Sequence, residues 1–227
     1  MARRPLTKPR KTASQARSRA TVDALVEATA RILVRHGFDH ASTNRIAAAA
    51  GVSVGSLYQY FPSKEALVAA VIARHRRDLL AVAQRALGEA AALPLEAAIP
   101  RLVAAAVAAH RVDPKLHRVL AEQTPRTGAL ADVDVFSPDN FAMFRDYLES
   151  RRDELRVTDL DLAAFVCVTA IEALTHMAVL HRTDFLTDEA VGALVDEASQ
   201  LVLRYLRQAP QEKGRAISGP PSFSSER

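Results

Sequence analysis

The chain has 227 residues, of which 49% are apolar and 5% aromatic, with a single cysteine at position 167. This length allows one large domain, or a small domain joined to a larger one, with enough core to fold without metal ions or disulfides. One cysteine excludes a disulfide framework within the chain and fits a reducing cytoplasm. We find no apolar signal segment and no run of about 18 apolar residues, so we expect neither secretion nor a membrane span.

The net charge of +4 is unevenly distributed along the chain. Residues 1–64 hold eleven Lys or Arg against three acidic residues, a net charge of +8, whereas residues 65–227 carry −4. This asymmetry indicates that one end of the molecule binds a polyanion and the other does not.

Residues 1–17 form a basic segment with almost no apolar side chains, so we expect a disordered arm. Such an arm either only improves solubility or lies along DNA phosphates and in the minor groove, and the residues leave both open. From Ser18 onward, apolar residues at helical spacing predict a first helix that ends at His36 and Gly37. His36 and His40 are four residues apart, but the glycine interrupts the helix between them and no carboxylate cluster accompanies them. No metal site is expected there.

The stretch from Ser42 to Leu67 predicts two short helices joined by a tight turn. Ser42 or Thr43 caps the first helix, and Gly51 ends it in the left-handed conformation. Ser53 caps the second helix, which ends before Pro62. Two short helices that meet at a glycine turn are typical of a helix-turn-helix.

The second of these helices has an outward face without charged side chains, which is unusual for a surface helix. A small helical hairpin that only packs against its own core would normally carry charges here, so the face favours a binding role. Gly55 in its middle would let a partner approach the backbone closely. The face consists of Val54, Gly55, Ser56, Tyr58, Gln59 and Tyr60.

The pattern T-x-x-I-A-x-x-A-G-V-S-x-G-x-L-Y-x-Y-F-x-S-K-E-x-L at residues 43–67 resembles the signature of the TetR family of transcriptional regulators. The resemblance implies an all-α homodimer that represses transcription until a small molecule binds its larger domain. It also implies contacts to DNA phosphates by Thr43, Ser56, Tyr58, Tyr60 and Lys64. The residues placed to meet base edges are Asn44, Val54, Gly55 and Gln59.

Beyond Lys64 the apolar pattern predicts one long helix through Leu87, and the resemblance to the TetR family implies that this helix connects the two domains. Prolines then divide an alanine-rich region, and Pro138 starts a helix whose inner stripe contains Phe144. An aromatic stripe of this kind fills a core or lines a ligand site, and both roles remain open.

The last two predicted helices, residues 160–180 and 187–206, are rich in apolar residues. The first of them is apolar on most sides, so we expect its own domain to cover one face and another molecule to cover a second. Together the two helices would supply half of a four-helix homodimer interface, although they could instead be core helices of one chain.

Glu172 and His176 interrupt the first of these apolar helices and are four residues apart. They either satisfy each other in the core or point into a cavity and bind a ligand. The candidate ligand-binding residues are Phe144, Phe165, Thr169, Glu172 and His176. Weaker candidates are His110, His117, Glu122 and Gln123. No cofactor is expected.

We therefore expect an all-α protein with four parts: a disordered basic arm (1–17), an N-terminal three-helix DNA-binding domain with a helix-turn-helix (18–78), a larger helical domain for ligand binding and dimerisation (79–208), and a disordered tail (209–227). Its expected partners are an operator in double-stranded DNA, a small-molecule effector and a second copy of the chain. One alternative is a DNA-binding architectural or partner-recruiting protein without an inducer. An enzyme is the other alternative, but no catalytic triad, metal cluster or phosphate-binding loop supports it.

Overall fold

The computed structural model describes residues 16–123 and 138–207, so the predicted arm, apart from its last two residues, and the predicted tail lie outside it. The described part contains nine α-helices and no strand, which confirms the all-α prediction. The helices are α1 (Ala16–His36), α2 (Thr43–Ala50), α3 (Val54–Tyr60), α4 (Lys64–Ala90), α5 (Leu95–Val112), α6 (Pro114–Arg118), α7 (Pro138–Glu149), α8 (Leu160–His181) and α9 (Val191–Arg207).

Local capping sets the ends of the short helices as predicted. Ser42 Oγ accepts a hydrogen bond from the Arg45 amide at the start of α2, and Gly51 ends that helix with φ of 70°. Ser53 and Ser63 cap α3 and α4 in the same way. These hydroxyl caps satisfy amides that have no partner within the helix.

Helices α1 to α3 and the first part of α4 enclose one hydrophobic core, which we call the head. Leu25, Ile46, Leu57 and Leu67 are fully buried in it. Leu116 of α6, with Val119 and Leu120 in the wide helical turn that follows α6, also belongs to this core. The head is therefore completed by a segment about 40 residues beyond its predicted boundary, and α6 physically joins it to the rest of the molecule.

A second core lies between the end of α4 and helices α5, α7, α8 and α9. We call this part the larger domain. The α4–α5 corner is fixed by Glu154, whose Oε2 accepts a hydrogen bond from the Leu95 amide at 2.9 Å. Pro94 precedes α5 and supplies no side-chain cap, so this distant carboxylate takes that role.

Helix α8 is buried on one side and exposed on another. Ala163, Cys167 and Val179 pack into the larger domain, and burial raises the pKa of the Cys167 thiol to about 12. On its other side, large apolar side chains remain exposed. These are Leu162, Phe165, Leu174 and Met177, together with Leu201 on α9. Among the described helices, α8 is long and apolar enough to cross a membrane by length and composition, a criterion that core helices of soluble proteins also meet.

Candidate DNA-binding surface, effector cavity and histidine chain

The helix-turn-helix presents most of the predicted binding residues on one surface. Gly55, Tyr58 and Gln59 are exposed on α3, while Leu57 between them is fully buried. Val54 is half-buried and packs partly against the core of the head, so it is less outward-facing than the sequence predicts. Asn44 is exposed on the neighbouring helix α2. A short helix with a buried anchor and an uncharged outer face has the form of a recognition helix that enters the major groove.

Two hydroxyl pairs hold this surface together. Thr43 Oγ1 and the Tyr58 hydroxyl are 3.1 Å apart, which links the start of α2 to the middle of α3. Ser53 Oγ and Ser56 Oγ are 2.9 Å apart at the start of α3. Three predicted phosphate contacts, Thr43, Ser56 and Tyr58, are therefore oriented before any partner binds.

Tyr60 does not belong to the outward face, which corrects the sequence prediction. It follows the buried Leu57 by three residues, so it lies on the same inner side of the helix. Its side chain is 8% exposed and its hydroxyl donates to Ser18 Oγ at 3.2 Å. Tyr60 thus attaches the start of α1 to α3.

Lys64 has a structural bond that the sequence did not reveal. Its Nζ donates to the Phe38 carbonyl oxygen at 3.0 Å and lies 4.0 Å from the centre of the Phe38 ring. The ammonium group therefore ties the turn after α1 to the start of α4. An ammonium group has three N–H donors, and this hydrogen bond uses one of them.

The larger domain contains a partly open cavity of about 90 Å³. Helices α4, α5, α7 and α8 line it, mostly with apolar side chains. Phe144 and Glu172, two of the predicted ligand residues, are in the lining, as is the weaker candidate His110. An apolar pocket with a few convergent polar groups is typical of a small-molecule site.

The other predicted ligand residues lie outside this lining. Phe165, which is 54% exposed, and Thr169, which is also exposed, are not among the lining residues. The cavity meets α8 along Val168, Ile171 and Glu172. Thr169 lies about 100° round the helix from Val168, whereas Phe165 lies about two turns before Glu172 and contacts the Phe141 ring.

The polar part of the lining consists of His110, Asn140 and Glu172. His110 is 3% exposed, and its Nε2 lies 3.5 Å from Glu172 Oε2. Burial raises the pKa of the Glu172 carboxyl, and the charge of His110 opposes that shift. Asn140 contributes a buried Oδ1 with no hydrogen-bond partner among the described residues. Asn140 was not predicted from the sequence, because a single polar residue in the first turn of a helix carries no distinguishing pattern.

Beside the cavity, histidines from three helices form a hydrogen-bonded chain. His75 Nε2 of α4 is 3.1 Å from His117 Nδ1 of α6. His117 Nε2 is in turn 2.8 Å from His176 Nδ1 of α8. The ring of His110 packs edge-on against that of His117, with 4.8 Å between centroids. His176, a predicted ligand residue, is therefore a member of this histidine chain.

Burial keeps the middle of the histidine chain neutral. Burial first, and then the neighbouring imidazoles of His110, His176 and His75, lower the pKa of His117 from 6.5 to about 3. Burial and His110 also lower the pKa of His75, although Asp78 and Asp113 oppose that shift. A neutral imidazole donates from one nitrogen and accepts at the other, so uncharged rings can form this chain.

The histidine chain does not have the arrangement of a metal site. His117 uses its two ring nitrogens toward different neighbours, so the ligand atoms do not converge on one point. Within residues 16–123 and 138–207, no group of three or more His, Cys, Asp or Glu could hold a metal ion.

Two family models match the sequence, one in each half. The model described as bacterial regulatory proteins of the tetR family matches residues 25–71. The model described as the tetracyclin repressor-like C-terminal domain matches residues 94–206. The two matches cover the core of the head and nearly all of the larger domain.

Solved structures with the same fold match 82–84% of this chain and 95–98% of their own chains. The fatty acid degradation regulator FadR from Bacillus halodurans is 21% identical, with 82% of this chain and 96% of that chain covered at a TM-score of 0.63. A protein from Mesorhizobium loti MAFF303099 assigned to the TetR family is 18% identical, with coverage of 84% and 98% and a TM-score of 0.72. A TetR-like transcriptional regulator from Rhodococcus sp. RHA1 is 24% identical, with coverage of 82% and 95% and a TM-score of 0.57. No curated protein sequence matches the chain.

Proposed function

The chain belongs to the TetR family of transcriptional regulators, and we propose that it is a dimeric repressor that leaves its operator when a small molecule enters the cavity. The head, with residues 18–78 as its principal part, binds DNA. The larger domain, residues 79–208, binds the effector and forms the dimer. As a regulator of this kind it acts in the cytoplasm.

The proposed DNA-binding surface divides into two groups of contacts. Thr43, Ser56, Tyr58 and Lys64 contact phosphates and fix the position of the head. Asn44, Val54, Gly55 and Gln59 face base edges in the major groove. Val54 offers only an apolar contact, for which a thymine methyl group is the suitable partner.

The proposed homodimer forms through α8 and α9. Five large apolar side chains on these helices are 40–54% exposed, and exposed apolar side chains gathered on neighbouring helices are typical of a protein interface. They are Leu162, Phe165, Leu174 and Met177 on α8 and Leu201 on α9. A two-fold contact between these helices would cover the same patch on both copies and place two heads side by side.

The single observation that carries the regulatory part of the proposal is the position of α4. Val68 and Val71 near its start are buried in the core of the head, and Leu79 and Leu87 farther along line the cavity. Because one rigid helix takes part in both sites, a ligand that shifts its far end moves the head. Two heads must enter successive major grooves about 34 to 36 Å apart, so such a shift lowers operator affinity.

A DNA-binding architectural protein without an inducer is the alternative. A solid core in the larger domain would favour that alternative. The apolar cavity, with His110, Asn140 and Glu172 in its lining, favours a ligand-responsive regulator instead.

The proposal can be tested by filling the cavity. A DNA site selected from random sequence would be placed before a reporter gene, and compounds that lift repression would be sought. Ala105 lines the cavity on α5, whereas Ala104 beside it is exposed. We expect Ala105→Leu to repress normally but to need more compound for release, and Ala104→Leu to respond like the unmodified protein.

Two results would contradict the proposal. If the unmodified protein and both variants needed the same concentration of compound for release from the operator, the effector would bind outside this cavity. Failure to select any DNA sequence over random DNA would favour the architectural alternative.

A further inference from the structure

The polar groups of the cavity are suited to one kind of ligand. Its described lining contains a carboxyl group at Glu172 and an amide oxygen at Asn140, and no Lys or Arg among those residues. An acidic ligand would therefore meet the Glu172 carboxyl group, and the nearest basic side chain, His110, already faces that carboxyl group. A ligand that donates hydrogen bonds and carries positive charge would find acceptors.

The hydrogen bond of His110 to the backbone fixes which of its ring nitrogens faces Glu172. His110 Nδ1 lies 2.8 Å from the Ala106 carbonyl oxygen, which can only accept, so Nδ1 carries a hydrogen. The other nitrogen, Nε2, faces Glu172 Oε2 at 3.5 Å. A neutral imidazole would present a lone pair to an ionised carboxylate at this point. One additional proton, held by either group, removes that repulsion.

Asn140 provides an independent indication of a bound donor. Its Oδ1 is buried without a hydrogen-bond partner in the described part of the chain, and Asn140 belongs to the cavity lining. A buried acceptor without a partner is costly, and a ligand N–H group would satisfy it.

We propose that the effector is an apolar amine that binds as a cation and donates hydrogen bonds to Glu172 and Asn140. This inference rests on the proposed function of the cavity as the effector site. On binding, the amine displaces the proton held between Glu172 and His110. The ammonium group replaces that proton as the positive charge beside the Glu172 carboxylate. The displaced proton passes to the solvent, and His110 remains neutral with its Nδ1–H bound to Ala106. The apolar chain of the amine lies against the helices that line the rest of the cavity.

Release of a proton gives the proposal a specific signature. Apart from Glu172, His110 is the titratable residue in the described lining, which comes from α4, α5, α7 and α8; His117 of α6 contacts the His110 ring. An alkylamine has a pKa near that of lysine, about 10.4, and stays charged between about pH 6.5 and 8.5. Its affinity should rise about tenfold per pH unit while the free pair still holds its proton.

The experiment compares three ligands of one chain length by titration calorimetry with the full-length protein: hexylamine, hexan-1-ol and hexanoate. We expect hexylamine to bind most tightly and to gain affinity with increasing pH, and hexan-1-ol to bind more weakly without pH dependence. Calorimetry in buffers of different ionisation enthalpy would count the released proton directly. Hexanoate should bind least.

Matched variants identify the groups responsible. Glu172→Gln should weaken hexylamine binding about tenfold or more and abolish its pH dependence, and it should weaken hexylamine binding more than hexan-1-ol binding. Asn140→Leu, a second variant that retains the pair, should weaken hexylamine binding while keeping the pH dependence. Glu89→Gln changes an exposed carboxyl on α4 and serves as the control that should bind like the unmodified protein.

The outcomes separate this inference from the proposed function. Tighter binding of hexanoate or hexan-1-ol, absence of proton release, or no hexylamine binding at all would overturn the amine assignment, even if the protein still binds a specific operator. Hexylamine binding with the expected signature but without any change in operator affinity would support the amine site and contradict its role in repression.

Discussion

Gly55 illustrates how a single residue can separate folding from DNA binding. A Cβ atom at this position would meet only Ser53 Oγ, at an ordinary contact distance of 3.9 Å, and Gly55 does not need a left-handed backbone. The fold therefore accepts a side chain here. Glycine is costly within a helix, so its presence on the outer face of α3 fits a close approach of DNA.

We predict that Gly55→Ala raises the free energy of unfolding by about 0.5 to 1 kcal/mol and weakens operator binding about tenfold or more. Chemical denaturation and a DNA-binding titration would measure the two effects. Gly88 on α4 also has open space around its Cβ position, so Gly88→Ala is the matched control. Equal operator affinity of both variants would show that DNA does not approach Gly55 closely.

Gln59 and Lys64 should differ in how their removal weakens DNA binding. Gln59→Ala is expected to relax base preference at one position of each half-site, because an exposed amide in the groove reads base edges. Lys64→Ala is expected to weaken binding to every sequence and to reduce the salt dependence by about one unit for each phosphate that a protomer no longer neutralises. Binding measured on operator variants at several salt concentrations distinguishes them. A uniform weakening on all sequences for Gln59→Ala would remove it from the base-reading group.

Residue positions were predictable where the chain determines them locally. The serine caps and the left-handed Gly51 follow from the sequence because their partners lie within a few residues. Tyr60 was wrongly assigned to the outward face of α3, because a small rotation about a helix axis decides which side a residue faces. Phe165 lies outside the cavity lining, so its predicted contact with a ligand stays a prediction. The Lys64 bond to Phe38 depends on the return of the chain after α1 and has no sequence signature.

At the scale of helices, the histidine chain connects elements that the sequence keeps far apart. His75, His117 and His176 come from α4, α6 and α8. Their separation along the chain concealed the contact, and helical spacing alone pairs His176 with Glu172 instead. The long helix α4 was predictable because one apolar pattern continues through it, whereas the packing of α6 against the head was not.

The histidine chain should make stability depend on pH. The pKa of His117 falls from 6.5 to about 3 on folding, so the unfolded chain binds more protons below about pH 6.5. The contribution of His117 to the free energy of unfolding is therefore complete above about pH 6.5 and is lost as the pH falls toward 3. From this group we expect a loss of about 1 to 1.5 kcal/mol between pH 7.5 and 5.5.

Denaturation of the unmodified protein and of His117→Gln at both pH values tests this. The variant keeps a polar side chain but does not titrate, so its stability should change less on acidification. The lowered pKa of His75 adds to the loss in both proteins. An identical pH dependence of the two proteins would show that His117 is not held neutral in the folded state.

At the scale of the whole molecule, the proposed homodimer depends on the exposed side of α8. Leu174→Glu should give monomers or insoluble protein, because an unpaired charge buried in an interface costs several kcal/mol. The loss of the dimer should also lower operator affinity, because one head on a single half-site binds weakly. Val112, 83% exposed at the end of α5, provides the control Val112→Glu, which should remain dimeric. Sedimentation at micromolar concentration distinguishes the outcomes.

More of the architecture could be predicted from the sequence in the head than in the larger domain. The helix-turn-helix combines caps, a glycine turn and apolar spacing within about 25 residues, so local chemistry specifies it. The cavity is formed by four helices, and which side chains meet there depends on how those helices cross. Glu172 and Phe144 could be picked out from the sequence, because Glu172 interrupts an apolar helix and Phe144 belongs to an aromatic stripe. The contact between Glu172 and His110 could be seen only in the packed structure.

The most direct test of the central claim is the stoichiometry and symmetry of the protein on its selected DNA site. Sedimentation of the complex, with protection of the bound DNA from cleavage, would measure both. We predict a palindromic site bound by two protomers, with half-site centres about 34 to 36 Å apart or a multiple of that spacing. One protomer on an asymmetric site, or protection without sequence preference, would contradict the account of a dimeric operator-binding repressor.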